Sequence, residues 1–219
     1  MRASGILMPV FSLPSRYGIG SFSKSAYQFV DMLKKAGQKH WQILLLCPTS
    51  YGDSPYQSFS TYAGNPYFID LDQLIEEKLL TRKECQACDF GDDPQDIDYG
   101  KLYENRFKLL RKAYERANVG EDQEFEAYRR ENAWWLDDYA LFMAVKDRFD
   151  GVAWNEWAED IRLRWSNAMD YYRRELYYEI EFYSYLQFVF MKQWKKLKNY
   201  ANINGIEIIG DIPIYVAFD

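Results

Sequence analysis

Trp41-Gln42-Ile43-Leu44-Leu45-Leu46 leads, through Cys47-Pro48-Thr49-Ser50, into Tyr51-Gly52-Asp53-Ser54-Pro55-Tyr56-Gln57-Ser58-Phe59-Ser60-Thr61-Tyr62-Ala63-Gly64-Asn65-Pro66-Tyr67. The first run is short and apolar, the pattern of a buried strand. The second is dense in glycine, proline, hydroxyls and tyrosine, the composition of a loop. A buried strand that opens into a long polar and aromatic loop is a common way for α/β enzymes to build a binding site. Tyrosine would suit a sugar in such a loop, offering an apolar face to the ring and a hydroxyl to its edge.

Working outward, Gly5-Ile6-Leu7-Met8-Pro9-Val10-Phe11 reads as a short buried strand, and residues 12–20, with Pro14, Gly18 and Gly20, as loop. Ser23 is placed to cap a helix running to about Ala36, with Ala26, Phe29, Val30 and Leu33 as its apolar face and Gly37 as its stop. The first 46 residues thus read β-loop-α-β, the unit of a parallel sheet or barrel. Beyond Asp70 the pattern becomes helical. Asp70-x-x-Gln73 and Thr81-x-x-Glu84 have the form of capping boxes. Trp134, Leu136, Tyr139, Leu141, Phe142 and Val145 mark one broadly apolar helix. Tyr183, Leu186, Phe190, Trp194 and Leu197, at spacings of three and four, mark another that Asn204-Gly205 ends. The segment from Ile206 to Val216 reads as a third strand running into a loop. The fold class is α/β with three parallel strands. Three strands do not close a barrel, which takes roughly 250 residues, so the chain is expected to be the N-terminal part of a longer enzyme.

Bulk properties exclude several classes. With 219 residues, 48% of them hydrophobic, the chain can bury a substantial core. A net charge of -6 argues against nucleic acid as partner, because a phosphate-binding surface needs clustered Lys and Arg. No apolar run approaches the ~20 residues of a membrane span. Met1-Arg2-Ala3-Ser4-Gly5 lacks a signal-peptide pattern, and with three cysteines a reduced, cytoplasmic setting is expected.

Few residues offer chemistry of their own. Asp211 and Asp219 fall at and beyond the end of the third strand, the end that faces the active site of a barrel. The plainer reading of Asp211 is a carboxylate bonding loop amides. Cys85-Gln86-Ala87-Cys88 has C-x-x-C spacing, but only Cys47 and His40 remain to complete a zinc site, so metal is not expected. His40, next to a strand, reads as packed or solvated. No G-x-S-x-G, Walker or dinucleotide motif is present.

Five ordered blocks carry a resemblance. Gly5-Ile6-Leu7-Met8-Pro9 with Ser12-Leu13-Pro14 and Tyr17-Gly18-Ile19-Gly20 is the first. Trp41-Gln42 with Pro48-Thr49 is the second, and Gly52-Asp53-Ser54-Pro55-Tyr56-Gln57 with Ala63-Gly64-Asn65-Pro66 the third. Trp134-Trp135-Leu136-Asp137-Asp138-Tyr139-Ala140-Leu141-Phe142 and Gly210-Asp211-Ile212-Pro213-Ile214-Tyr215-Val216-Ala217 with Asp219 complete the set. Together they resemble the 4-α-glucanotransferases (amylomaltases, disproportionating enzymes) of the α-amylase clan. Leu45 and Cys47 depart from the proline and glycine usual there.

The resemblance implies the N-terminal part of a (β/α)8 barrel with a large helical insertion between strands 2 and 3. Residues 1–70 would then hold the first strands and sugar-binding loop, 71–182 the insertion, and 183–219 the return helix and third strand. It implies no cofactor, maltodextrins as partners, and retaining transfer between α-1,4-glucans. Tyr56, Asp219, Ser54, Asp53 and Tyr51 are then the substrate-binding candidates: Tyr56 and Asp219 match sugar-contacting residues, Ser54 and Asp53 flank the tyrosine, and Tyr51 is an outer-platform candidate. The nucleophile and acid/base would lie on later strands, beyond Asp219. An amylase-like hydrolase and a non-catalytic maltodextrin-binding fragment are the alternatives.

Overall fold

The computed structural model describes residues 2–49, 53–93 and 95–212. Their contacts divide the chain into two compact units, one of residues 1–117 and 189–216 and one built on 118–188. These boundaries follow contacts, whereas the expected 1–70, 71–182 and 183–219 follow the resemblance to a barrel.

The first unit holds a three-stranded parallel sheet. Strands β1 (Gly5–Leu7), β2 (His40–Gln42) and β3 (Glu207–Ile209) lie in the order β1-β2-β3. Trp41 pairs with Ile6 on one side and Ile208 on the other. The link between β1 and β2 is α1 (Lys24–Lys35), so the expected β-loop-α-β unit forms. Ser23 occupies the N-cap position without donating or accepting a capping bond, and Gly37, with φ of 70°, turns the chain out of the helix. Gly37 takes this left-handed conformation at no steric cost.

Three strand expectations need correction. β2, read as Trp41 to Leu46, ends at Gln42. β1 ends at Leu7, because Pro9 has no N–H for the ladder and Val10–Ser12 coil into a 3-10 turn. Nor is β1 buried: Ile6 and Leu7 are 41% and 52% exposed. Only the central strand has neighbours on both sides among the described residues, and there Trp41 is fully buried, with Ile43 and Leu45 alternating after it on the buried side. Trp41 packs edge-on against Phe29 of α1 and its indole N–H donates to the Met8 carbonyl at 2.8 Å.

The rest of the first unit is helical: α2 (Leu71–Glu76), α3 (Arg82–Gln86), α4 (Tyr99–Arg116) and the last part of α8 (Tyr177–Ile203). Both predicted caps form, but differently. At α3 the box is complete, Thr81 Oγ1 accepting from Glu84 N while Glu84 takes the Thr81 N–H. At α2 the Asp70 carboxylate accepts from the Asp72 and Gln73 amides, but Gln73 does not reach back. Its amide donates instead to the Phe22 carbonyl at 3.0 Å. The Asp70 peptide is already paired with Gln193 of α8, whose Oε1 accepts the Asp70 N–H at 2.7 Å and whose Nε2 donates to the Asp70 carbonyl at 3.3 Å.

Arg106 on α4 is fully buried, unforeseen from sequence. Its guanidinium donates to the Tyr17 carbonyl at 3.4 Å and to the Ile69 carbonyl. Burial lowers its pKa to about 10, and nearby Asp70 opposes that shift.

The second unit is built from α5 (Gln123–Arg148), α6 (Glu159–Arg162), α7 (Ser166–Glu175) and the start of α8. Its core gathers Leu141, Val145, Trp157, Ile161, Ala168 and Met169. Tyr183 Oη donates to Asp147 at 2.6 Å, and Phe125 meets Phe188 edge-on. Of the apolar stripe expected on α5, Leu136, Tyr139, Leu141 and Val145 are buried, but Trp134 is 68% exposed. Among the described residues no helix is long and apolar enough to cross a membrane.

Candidate functional site

In a parallel sheet, the segments that leave neighbouring strands emerge at the same edge. The tyrosine-rich loop follows β2, and Asp211 follows the adjacent β3. They meet. Tyr56 Oη donates to Asp211 Oδ2 at 2.8 Å, across 155 residues of sequence. Asp211 Oδ1 accepts from Ile212 N at 2.9 Å, so the expected amide bond is present and the second oxygen serves the tyrosine. The Asp211 carboxylate, through this bond, holds the Tyr56 phenol above its ordinary pKa. Tyr56 itself is 45% exposed, with its ring available to a ligand from solvent.

The loop is built largely on its own hydroxyls. Ser54 Oγ accepts from Tyr56 N at 3.3 Å and Ser54 O from Gln57 N at 3.1 Å, which makes the turn that presents Tyr56. Ser58 Oγ donates to Ser60 O at 2.8 Å, and Ser60 Oγ accepts from the amides of Tyr62 and Ala63. Asn65 ends the loop. Its N–H donates to Leu46 O at 2.7 Å, and its Oδ1 takes the Tyr67 N–H, capping a 3-10 turn at Pro66–Phe68. Gly64 is required there, because a Cβ would overlap the buried Phe190 ring.

Asp53 adopts φ of 55°, in the left-handed region where Asp is tolerated better than most residues. Partial burial pushes its carboxyl up. With Cys47, Leu45 and Tyr99 it lines a cavity of about 10 Å³, near the minimum for one water and far below a sugar ring. Of the predicted site residues, then, Ser54 and Tyr56 lie on one turn and Asp53 directly precedes it. Tyr51 and Asp219 lie outside the described residues.

Cys47, Cys85 and Cys88 are free thiols, and burial pushes Cys85 up to about 11, away from the reactive thiolate. His40 faces Glu207 across neighbouring strands at 3.6 Å. Among the described residues no group of three or more His, Cys, Asp or Glu side chains could hold a metal.

The sequence model of the 4-alpha-glucanotransferase family matches residues 8–219. The chain belongs to the 4-alpha-glucanotransferase family. A 4-alpha-glucanotransferase of Clostridium butyricum is 51% identical over 212 residues, 97% of this chain and 44% of that protein. One from Streptococcus pneumoniae is 50% identical over 220 residues, again covering 44% of its length. Among solved structures, the amylomaltase from Streptococcus agalactiae in complex with acarbose superposes with a TM-score of 0.93 at 44% identity, over 99% of this chain and 44% of that one. The chain therefore spans less than half the length of the relatives it matches.

The pairing of Tyr56 with Asp211 was not foreseen. Its signal was present: an aromatic loop after one strand and a carboxylate after its parallel neighbour. The strand order needed to join them is a long-range property that sequence spacing does not encode. Arg106 had no comparable signal, since Arg is seldom fully buried.

Proposed function

We propose that the protein containing this chain is a 4-α-glucanotransferase that moves maltodextrin units between α-1,4-glucans, with this chain supplying substrate-binding residues. The observation that carries the reading is the likeness, at a TM-score of 0.93, to an amylomaltase bound to acarbose. In this reading β1, β2 and β3 are the first strands of a (β/α)8 barrel, residues 71–182 are its insertion, and the loop after β2 lies at the substrate end. Tyr56 contacts the sugar from a turn that the Ser54 hydroxyl braces, and Ser54, Asp53, Asp219 and Tyr51 complete the binding set. An aspartate nucleophile beyond Asp219 would attack the anomeric carbon and a glutamate would protonate the departing sugar. The 4-hydroxyl of a second glucan would then replace water in the second displacement, with retention of configuration. A cytoplasmic setting belongs to the same proposal and accords with three free thiols.

The test is maltotriose supplied to the protein as its source cells make it. Glucose together with maltodextrins longer than maltotriose supports transfer. Maltose and glucose with nothing longer would replace it by an amylase-like hydrolase.

A further inference from the structure

We propose that Asp211 is a positioning residue that fixes the polarity of Tyr56, so that Tyr56 receives a hydrogen bond from the glucan. This rests on Tyr56 being the glucan contact. A phenol has one proton to donate and lone pairs with which to accept. The proton of Tyr56 is committed to Asp211 Oδ2 at 2.8 Å, a charge-assisted bond of the stronger class. A sugar hydroxyl that reaches Oη must therefore be the donor. The resulting chain runs from sugar O–H to Tyr56 Oη to Asp211 Oδ2, each bond polarising the next. Its far end is anchored, because the Ile212 amide donates to Asp211 Oδ1 at 2.9 Å and fixes the carboxylate plane. Its near end is steadied by the Ser54 hydroxyl, which accepts the Tyr56 N–H.

The anchoring makes Asp211→Asn informative. The Ile212 N–H needs an acceptor, so the asparagine oxygen turns to it and the side-chain NH2 faces Tyr56. That group donates into Oη and frees the phenolic proton, reversing the polarity offered to the sugar while preserving side-chain shape. Tyr56→Phe removes the hydroxyl but keeps the ring.

The experiment compares the parent, Asp211→Asn, Tyr56→Phe and the double variant, each in the protein as its cells make it, with maltotriose as donor and acceptor. KM is expected to rise roughly tenfold in each single variant, the size of one lost hydrogen bond, with a smaller change in kcat. The double variant is expected to be no worse than the poorer single one. Tyrosine Cζ-labelled NMR supplies a second readout: the resonance missing from Tyr56→Phe should titrate at higher pH in the parent than in Asp211→Asn.

Unchanged KM and unchanged titration in Asp211→Asn, beside an impaired Tyr56→Phe, would overturn the role of Asp211 and leave Tyr56 as a glucan contact. Losses that multiply in the double variant would also overturn it, since the two residues would then act independently. A parent that neither binds nor transfers glucan removes the functional reading itself, an outcome distinct from an active parent in which Asp211→Asn is silent.

Discussion

Gln193 holds the Asp70 peptide from both sides: its Oε1 takes the N–H at 2.7 Å and its Nε2 donates to the carbonyl at 3.3 Å, across 123 residues. Both residues are buried, so neither group can turn to water instead. Gln193→Leu keeps similar volume and removes both partners. Leaving a buried polar group unpaired costs about 1–3 kcal/mol. A loss of about 2–5 kcal/mol is expected in urea unfolding, and a loss under 1 kcal/mol would mean that the Asp70 peptide finds other partners.

Arg106 makes a similar tie between the Tyr17 and Ile69 carbonyls. Arg106→Met leaves both acceptors without it and should cost about 2–5 kcal/mol, even though it also relieves the burial of a charge. Arg106→Lys should fall between, because an ammonium on a flexible stem lacks the planar fork. Thermal unfolding of the three proteins under one buffer checks the order.

Gly64 lies against the Phe190 ring. Overpacking a core position typically costs about 1–3 kcal/mol, and Gly64→Ala should lose that much, with part restored by Phe190→Leu. A double-mutant cycle measures the coupling. Additive losses would show that the alanine is accommodated elsewhere.

Glu84 joins α3 to α4. It receives both terminal nitrogens of Arg116 at 2.7 and 2.9 Å and the Thr81 hydroxyl at 2.8 Å, and these bonds, with Arg116 foremost, hold its carboxyl well below the usual range. A lowered carboxyl pKa contributes stability that is present above the unfolded value of 4.5 and is lost as pH falls below it. The parent should therefore lose stability on acidification below about pH 4.5, and Glu84→Gln should lose less over the same interval. Parallel curves for the two would refute the assignment.

Legibility in the sequence followed interaction range. The α1 stop at Gly37, the Thr81–Glu84 cap and the parallel β-loop-α-β unit all depend on residues near one another, or on periodicity, and all three form. The extent and burial of β1 depend on what lies beside it in the sheet, so the strand reads too long and too buried. Gln73 illustrates the same limit. Its spacing from Asp70 fits a box, but the Phe22 carbonyl, brought near by the fold, takes its amide. In the candidate loop, the closeness of Tyr56, Ser54 and Asp53 follows from their adjacency in one motif, whereas Asp211 as a partner of Tyr56 required knowing that β3 lies beside β2.

The serine hydroxyls of the loop have a calorimetric consequence. Ser54, Ser58 and Ser60 already satisfy the backbone that carries Tyr56. In the proposed glucan-binding reading the turn is ordered before the glucan arrives, and association need not bear the entropy of arranging it. Removing the Ser58 and Ser60 hydroxyls should leave the Tyr56 ring in place and still weaken binding. The deficit should appear in the entropy of association more than in its enthalpy, so residues that never touch the carbohydrate would help set how tightly it is held.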